Sequence, residues 1–346
     1  MIYELLKTLI ATPRTSRNEG DAADLLQTYM EEHGMHPTRT GHNLWEVAPG
    51  YTPERPTLLL NAHIDTVKPV AAWTRDPFLP ELTEDGHLYG LGSNDDGASL
   101  VTLLSTYLTL RNTEQTYNLV FVASAEEEVS GQNGFSSVLP LLPPISVALV
   151  GEPTGMQPAI AEKGLMVLDC TAHGKAGHAA RNEGDNAIYH AIEDIQWFQT
   201  FRFPNESPLL GPVKMTVTIV QAGTQHNVIP DTCTFTVDVR SNELYSNEDI
   251  YNMVRANVKS DVKARSFRLN SSRIDEQHPL LRRAIALGKT PFGSPTLSDQ
   301  ALMPFPSMKM GPGDSRRSHT ADEYILLSEL DDAITTYREL LDGLQL

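Results

Sequence analysis

The chain has 346 residues, and 44 acidic against 27 basic side chains give it a formal net charge of −17. This length predicts about two domains, each large enough to bury a core of its own. The acid excess argues against nucleic acid and anionic membrane surfaces as partners. A mean hydropathy of −0.27, with no long apolar run, argues against a membrane-spanning segment.

Two cysteines, Cys170 and Cys233, are too few for a disulfide framework, and both lie in alternating apolar stretches. We therefore expect buried thiols in a reducing, cytoplasmic compartment. The N-terminal segment is amphipathic and carries a single lysine, which is typical of neither a signal peptide nor a transit peptide.

The first half of the chain alternates helical patterns with short apolar runs. Helices are predicted at residues 5–10 and 21–34, strands at 58–60, 119–124 and 147–150, and a helix that is apolar nearly all round at 99–110. This alternation predicts an α/β fold with a mostly parallel central sheet flanked by helices.

The middle of the chain has a different pattern. It predicts a strand at 165–173, a helix at 185–201, strands at 213–221 and 232–240, a helix at 247–258 and a strand at 261–269. This βαββαβ order is that of an α+β ferredoxin-like unit. We therefore predict a discontinuous catalytic domain, residues 1–164 and 272–346, and an inserted domain, residues 165–271. The closing helix is predicted to begin with Ser328 as its N-cap.

Polar clusters follow the predicted strands directly, where the functional groups of such sheets gather. His63 and Asp65 follow the first strand, and they would face the same way because alternate residues of an extended chain share a face. A run of three glutamates at 126–128 follows the second strand, and Glu152 follows the third. Each motif alone also has a simpler explanation, as a strand-end pair, a solvated charge run or a turn acid, although a solvated charge run would not usually end a buried strand.

Two further segments supply candidate ligands. Residues 90–97 form a glycine-rich turn with Asp95 and Asp96, but it lacks the lysine and the third glycine of phosphate-binding loops. An aspartate at this point could also simply cap the next helix. His319 lies in a loop rich in glycine and proline. Together, two imidazoles and several carboxylates indicate Zn²⁺, with Co²⁺ or Mn²⁺ as substitutes, and two ions rather than one.

The order of these motifs resembles that of the M20 family of co-catalytic zinc aminoacylases and peptidases. The matching motifs are His63-x-Asp65, Gly-x-Gly-Ser-x-Asp95, Glu127-Glu128, Gly-Glu152-Pro-Thr, Gly-Pro-Gly…His319 and, in the insert, Gly-His178-Ala and Asn227-Val-Ile-Pro. The chain departs from the family pattern at Leu91, at Asp96-Gly97 and at Glu126, none of which is a proposed ligand.

The resemblance implies a ligand set for two divalent metal ions. His63, Asp95 and Glu152 would bind one ion, and Asp95, Glu128 and His319 would bind the other, so that Asp95 bridges the two. Zn²⁺ is the metal that the family uses most typically, and Co²⁺ or Mn²⁺ would substitute for it.

The resemblance also implies roles around the metals. Glu127 would be the general base that takes a proton from water and returns it to the leaving amine, and Asp65 would orient His63. His178 would reach the active site of a partner subunit and polarise the scissile carbonyl. The candidates for binding the substrate carboxylate are Asn227 and Arg240.

Within the family, the chain looks most like acetylornithine deacetylases and the related acyl-lysine and acyl-citrulline deacylases. This implies a cytoplasmic zinc deacylase, dimeric through its inserted domain, that converts N-acetylornithine to ornithine and acetate in arginine biosynthesis. Succinylornithine, acetylcitrulline and acetyllysine stay open as substrates. The alternatives are a succinyl-diaminopimelate desuccinylase, a di- or tripeptidase or, from another class, a non-catalytic ligand-binding protein on the same scaffold.

Overall fold

The computed structural model describes residues 2–346, which divide into two compact units. The first unit comprises the chain up to Ile160, together with Arg273–Phe292 and Ser298–Leu346. The second comprises Ala161–Ser272 and Gly293–Leu297. Within residues 2–346, no helix combines the length and the apolar composition that crossing a membrane would need.

The first stretch of the chain supplies most elements of the first unit. In chain order they are α1 (Ile2–Ala11), α2 (Gly20–Glu32), β1 (Thr38–Thr40), β2 (Asn43–Val47), β3 (Thr57–His63), β4 (Glu81–Leu82), β5 (His87–Tyr89), α3 (Gly97–Leu110), β6 (Asn118–Ser124), α4 (Phe135–Val138), β7 (Val147–Val150) and β8 (Ala159–Glu162). Short 3₁₀ turns at Glu127–Val129 and Leu139–Leu141 follow β6 and α4.

The second unit is an α+β arrangement. Its elements are β9 (Met166–His173), β10 (Gly177–His178), α5 (Ala187–Thr200), β11 (Lys214–Ala222), β12 (Val228–Ile229), β13 (Thr232–Arg240), α6 (Asn247–Asn257) and β14 (Asp261–Ala264). The long strands form a four-stranded antiparallel sheet in the order β11-β13-β9-β14. Alternate side chains of β9 and β13, among them both free cysteines, pack into one core with α5 and α6. The predicted ferredoxin-like order is confirmed.

After Ser272 the chain returns to the first unit, apart from Gly293–Leu297, which belong to the second. The remaining elements are β15 (Ser272–Arg273), α7 (Pro279–Ala286), β16 (Phe292–Ser294), a 3₁₀ turn at Asp299–Leu302, β17 (Ser307–Lys309), β18 (Tyr324–Leu326) and α8 (Leu327–Leu341). The prediction that Ser328 caps the last helix is wrong, because α8 begins at Leu327, directly after β18. The side chain of Glu329 accepts the backbone N–H of Leu326 at 3.0 Å and closes this first turn.

The central sheet is mixed. It has nine strands, in the order β1-β2-β6-β3-β7-β17-β8-β15, with β16 paired to β8. Its middle, β6-β3-β7-β17, is parallel, whereas β2 and β8 join antiparallel. Every residue of β3, β6 and β7 is buried, as expected of strands covered on both faces. The predicted α/β fold with helices flanking the sheet is confirmed, and its antiparallel strands lie towards the edges.

Candidate active site

The parallel centre of the sheet determines where the candidate ligands lie. Because β3, β6 and β7 run in the same direction, their carboxyl ends share one edge. His63 is the last residue of β3, Glu127 and Glu128 lie in the 3₁₀ turn after β6, and Glu152 follows β7. Asp95 comes from the loop before α3, and His319 comes from the long loop between β17 and β18.

Asp95 lies between the two histidines. Its Oδ1 is 3.1 Å from Nε2 of His63, and its Oδ2 is 3.7 Å from Nε2 of His319. On the far side, Nε2 of His319 is 2.9 Å from Oε2 of Glu128. The two oxygens of one buried carboxylate therefore face two different imidazoles, which is the geometry that a bridging ligand requires.

Two overlapping groups of side chains could hold metal ions. The ligand atoms of His63, Asp95 and Glu128 lie within 4.8 Å of one another, as do those of His63, Glu127 and Glu152. Imidazole and carboxylate donors in this mixture suit Zn²⁺, Co²⁺ or Mn²⁺. The residues therefore fit a pair of divalent cations, and Glu127 lies close enough to contact the same region.

The crowding of buried acids raises the pKa values of two glutamates in the site. Burial raises the pKa of Glu127 well above its ordinary value, and the charge of Glu152 adds to this increase although His63 opposes it. Burial likewise raises the pKa of Glu152 well above its ordinary value, against the opposing charge of Lys309. Like charges gathered in a buried site share protons unless a cation neutralises them, so this arrangement favours cation binding.

Both histidines hold protons tightly in this setting. Burial lowers the pKa of His63, but hydrogen bonding with Asp65 and Asp95 outweighs it and raises the pKa well above the usual value. The hydrogen bond to Glu128 raises the pKa of His319 to about 8. A metal ion must displace these protons in order to bind, since an imidazole ligand is neutral.

Asp65 connects the two sides of the site. Nδ1 of His63 is 2.9 Å from the backbone oxygen of Asp65 and 3.6 Å from its Oδ1. The carboxylate itself accepts the backbone N–H groups of Glu127 at 3.0 Å and Glu128 at 3.2 Å, and the hydroxyl of Ser16 at 2.7 Å. Asp65 thus touches His63 chiefly through its carbonyl and holds the glutamate turn through its side chain.

Glu126, the first glutamate of the run, has a different environment. Its φ of 54° turns the chain, and its carboxylate accepts the backbone N–H and the side-chain amide of Asn133 at 3.3 and 3.0 Å. Its own N–H donates to buried Glu19 at 3.2 Å. This residue therefore closes its own loop, and the two glutamates after it face the histidines.

Several buried charged side chains near these ligands were not assigned in the sequence analysis: Arg14, Asp299, Lys309 and Glu323. Asp299 accepts the hydroxyl of Ser124 at 2.6 Å, and its charge helps to raise the pKa of Glu127. A lysine at the end of an apolar strand is the one signal that could have identified Lys309. Arg14 and Glu323 lie in loops and Asp299 begins a 3₁₀ turn, and no sequence pattern marks any of the three.

The insert motifs meet within the second unit. His178 of β10 pairs with Val228 of β12, and the N–H of Ala179 donates to the carbonyl of Asn227 at 3.0 Å. Nδ1 of His178 accepts the N–H of Ala180 at 3.1 Å. His178 and Asn227 are both exposed, so the two motifs of the insert lie next to each other at the surface of this unit.

Arg240 lies elsewhere in that unit. It is the last residue of β13, and its guanidinium donates to both oxygens of Asp238, at 2.9 and 3.2 Å. β13 begins at Thr232, just after the segment that holds Asn227. At the usual rise of an extended strand, the two ends of β13 are roughly 26 Å apart. The structure therefore brings His178 and Asn227 together and leaves Arg240 at the opposite end of the sheet.

Comparison with known proteins gives a family match over most of the chain. The model of the peptidase family M20/M25/M40 matches residues 59–343. The acetylornithine deacetylase of Proteus mirabilis is 27% identical, over 98% of this chain and 96% of its own length.

Solved structures share the fold. A tripeptidase from Staphylococcus aureus superposes with a TM-score of 0.76 at 19% identity, covering 98% of this chain and 96% of that one. A Bacillus subtilis protein described as a dinuclear metal-binding peptidase of the M20 family gives 0.73 at 19% identity, with the same coverage. The chain belongs to the peptidase family M20/M25/M40 and is a hydrolase of that family.

Proposed function

We propose that the chain is a two-metal amidohydrolase that removes the Nα-acyl group from an acylated basic amino acid, with N-acetylornithine as the first candidate. The observation that carries this proposal is the position of Asp95 between His63 and His319, with three glutamates alongside. The acyl-amino-acid class is supported by similarity to the Proteus mirabilis acetylornithine deacetylase over nearly the full length of both chains. With that substrate, the enzyme would serve arginine biosynthesis.

We assign His63, Asp95 and Glu152 to one ion, and Asp95, Glu128 and His319 to the other. The 2.9 Å approach of His319 to Glu128 supports the second set. Zn²⁺ is our proposed metal, with Co²⁺ or Mn²⁺ as substitutes. Such ions, when bound, acidify a water molecule and polarise the acyl carbonyl.

Glu127 is our candidate for the general base. Its Oε2 lies 3.9 Å from Nε2 of His63, at the edge of the ligand cluster, and Asp65 fixes its backbone N–H. A carboxylate whose pKa is raised by burial can hold the proton that it takes from water and then donate it to the leaving amine. Removal and return of one proton by the same carboxylate balances the hydrolysis of the amide.

We also propose a homodimer formed through the second unit. β11 is an edge strand of its sheet, and Ile219 and Val220 on this strand are half exposed. Neighbouring α5 exposes Tyr189 and Ile192. Unpaired edges and apolar patches of this kind favour association.

The separation of Arg240 from His178 and Asn227 supports the same assembly. The length of β13 exceeds that of an acylated amino acid, so one substrate cannot contact both ends of this sheet in one chain. We propose that His178 and Asn227 serve the active site of the partner, and that Arg240 binds a substrate carboxylate at a different site from them. The free, buried cysteines support a reducing cytoplasm as the location.

A deacylation panel tests the proposed substrate class. Purified protein is stripped with a chelator, reloaded with Zn²⁺ and assayed with acetylornithine, succinylornithine, acetylcitrulline, acetyllysine, succinyl-diaminopimelate, a dipeptide and a tripeptide. We expect the highest kcat/KM with an acylated basic amino acid, and acetylornithine first among these. Cleavage of the peptides alone would identify a peptidase. Binding without turnover of any compound would identify a ligand-binding protein.

A further inference from the structure

Two buried residues of opposite charge, Glu323 and Arg14, hold the loop that carries Asp95. Glu323 is 2% exposed and Arg14 is 1% exposed. They come from distant parts of the sequence, and neither belongs to the ligand set assigned above. An inference from them rests on the proposed two-metal function, and it concerns how this chain keeps its ligands in place.

Glu323 grips the loop with its carboxylate. Oε1 accepts the backbone N–H groups of Asn94 and Asp95, both at 2.9 Å, and Oε2 accepts that of Gly92 at 3.0 Å. The carbonyl of Glu323 also accepts the N–H of Gly90 at 3.0 Å. One residue therefore accepts four backbone N–H groups of the same loop, three of them at its carboxylate, where a charged acceptor strengthens the hydrogen bond.

Arg14 contacts a backbone carbonyl of the loop, whereas Glu323 contacts its N–H groups. Its Nη2 donates to the carbonyl of Gly92 at 2.9 Å, and its Nη1 donates to the carbonyl of Ile64 at 2.6 Å. Ile64 directly follows His63. The same guanidinium therefore contacts the backbone next to His63 and the loop that carries Asp95, two of the ligands proposed for the first ion. The backbone carbonyl of Arg14 also accepts the N–H of Thr66 at 3.0 Å.

The two contacts meet at Gly92. The N–H of this residue goes to Glu323 and its carbonyl goes to Arg14. A Cβ at Gly92 would lie 2.5 Å from Nη2 of Arg14 and 2.4 Å from Cγ2 of Thr66, and the φ of this residue is 73°. Only glycine fits between the guanidinium and the turn.

We propose that Arg14 and Glu323 are positioning residues that fix the Asp95 carboxylate between His63 and His319, and so determine how tightly the metal pair is held. A carboxylate can bridge two ions only if its backbone is fixed relative to both sets of partners. Glu323 fixes the N–H of Asp95 itself, and Arg14 fixes its loop to the end of β3. Partners that orient metal ligands typically change metal affinity by about 10- to 100-fold.

A second buried pair in the same unit provides matched controls. Glu46 accepts Nη2 of Arg111 at 2.9 Å, the hydroxyl of Tyr107 at 2.7 Å and the backbone N–H of His36 at 2.7 Å. Glu46 is 7% exposed, as is Arg111. These four residues lie outside the proposed ligand set. Glu46→Gln and Arg111→Lys therefore disturb a buried charge network of the same kind without touching the Asp95 loop.

The experiment titrates metal-free protein with Mn²⁺ and follows binding by calorimetry and by electron paramagnetic resonance. We expect wild type to bind two ions and to show the exchange coupling of a carboxylate-bridged pair. Glu323→Gln and Arg14→Lys should fold, as judged by circular dichroism, but bind Mn²⁺ about 10-fold more weakly or worse and lose the coupled spectrum. Both control variants should keep the wild-type Mn²⁺ affinity and the coupled spectrum, because neither contacts the Asp95 loop.

Wild-type affinity and an unchanged coupled spectrum in Glu323→Gln and Arg14→Lys would overturn the inference, as would an equal loss in the controls. If Glu323→Gln does not fold, Glu323→Asp provides a second test. Its shorter side chain retains the negative charge but moves the carboxylate oxygens away from the loop, and we expect it to lose the exchange coupling of the Mn²⁺ pair as well. A retained coupling in Glu323→Asp would count against the proposal. Two ions bound by wild type without turnover in the deacylation panel would instead refute the proposed function and leave this inference standing.

Discussion

Oδ1 of Asp65 accepts the backbone N–H of Glu127 at 3.0 Å, so the aspartate that follows His63 also holds the turn of the proposed base. Its other oxygen accepts the N–H of Glu128. Together with the backbone carbonyl of Asp65, which lies 2.9 Å from Nδ1 of His63, this carboxylate links an imidazole ligand to two glutamates that follow a neighbouring strand.

Replacing this carboxylate should disturb both sides of the site at once. In Asp65→Asn, the amide N–H₂ faces a backbone N–H, of Glu127 or of Glu128, in either orientation, and the negative charge beside His63 is lost. We expect kcat and metal affinity each to fall about 10- to 100-fold. Steady-state kinetics with metal analysis checks this result, and Ser16→Ala, which removes only the hydroxyl contact, is the milder control. A fully active Asp65→Asn enzyme would contradict the role.

Glu127→Ala should separate proton transfer from metal binding. We expect kcat to fall about 10²- to 10⁴-fold, the usual contribution of a general base, while two ions per chain remain bound. Elemental analysis of the purified variant measures the metal content, and Glu126→Ala, in the same run of glutamates but facing its own loop, is the control for the turn. A loss of one ion in Glu127→Ala would show that Glu127 is a ligand instead.

Metal affinity should depend on pH with a definite sign. In the metal-free protein, His319 is protonated below its pKa of about 8 and neutral above it. A metal ion binds only the neutral ring, so the loss of this proton should make metal affinity rise as the pH increases towards 8. Calorimetry in buffers of different ionisation enthalpy should detect proton release at pH 7. Affinity that does not vary between pH 6 and pH 8 would argue against His319 as a ligand.

Mixed dimers test whether His178 acts on the partner. Neither His178→Ala nor Glu127→Ala homodimers should hydrolyse the substrate appreciably. After subunit exchange, a heterodimer keeps one site with an intact Glu127 and a partner's intact His178, so part of the activity should return. Differently tagged subunits verify the exchange. Absence of recovery in verified heterodimers would place His178 in its own chain's site, or outside catalysis.

The central strands and α3 could be predicted from the sequence because their burial produces continuous apolar runs within each segment. Residues in β3, β6 and β7 are buried on both faces, so they form continuous apolar runs, and α3 is apolar nearly all round for the same reason. Short edge elements such as β1 and β4 are exposed and polar, and they carry no such signal. The start of α8 differs from the predicted one because the backbone is extended in β18 up to Leu326. This extension comes from pairing with β5, which is distant in the sequence.

The candidate ligands could be identified because metal binding demands particular side chains after particular strands. The residues that hold those ligands could not. Glu323 and Arg14 bind backbone N–H and carbonyl groups, which every non-proline residue offers, so nothing in the Asp95 loop identifies its partners. The position of Arg240 at the far end of β13 likewise depends on strand length and pairing rather than on its motif.

The contacts of the Gly92 peptide also bear on how the protein is made. Its carbonyl accepts a hydrogen bond from Arg14, and its N–H donates to Glu323. The second imidazole beside Asp95 belongs to His319. During translation, His319 and Glu323 are added long after His63, Asp95 and Glu152. The proposed second ligand set, and the contacts of Glu323 with the Asp95 loop, can therefore be complete only after synthesis has passed residue 323.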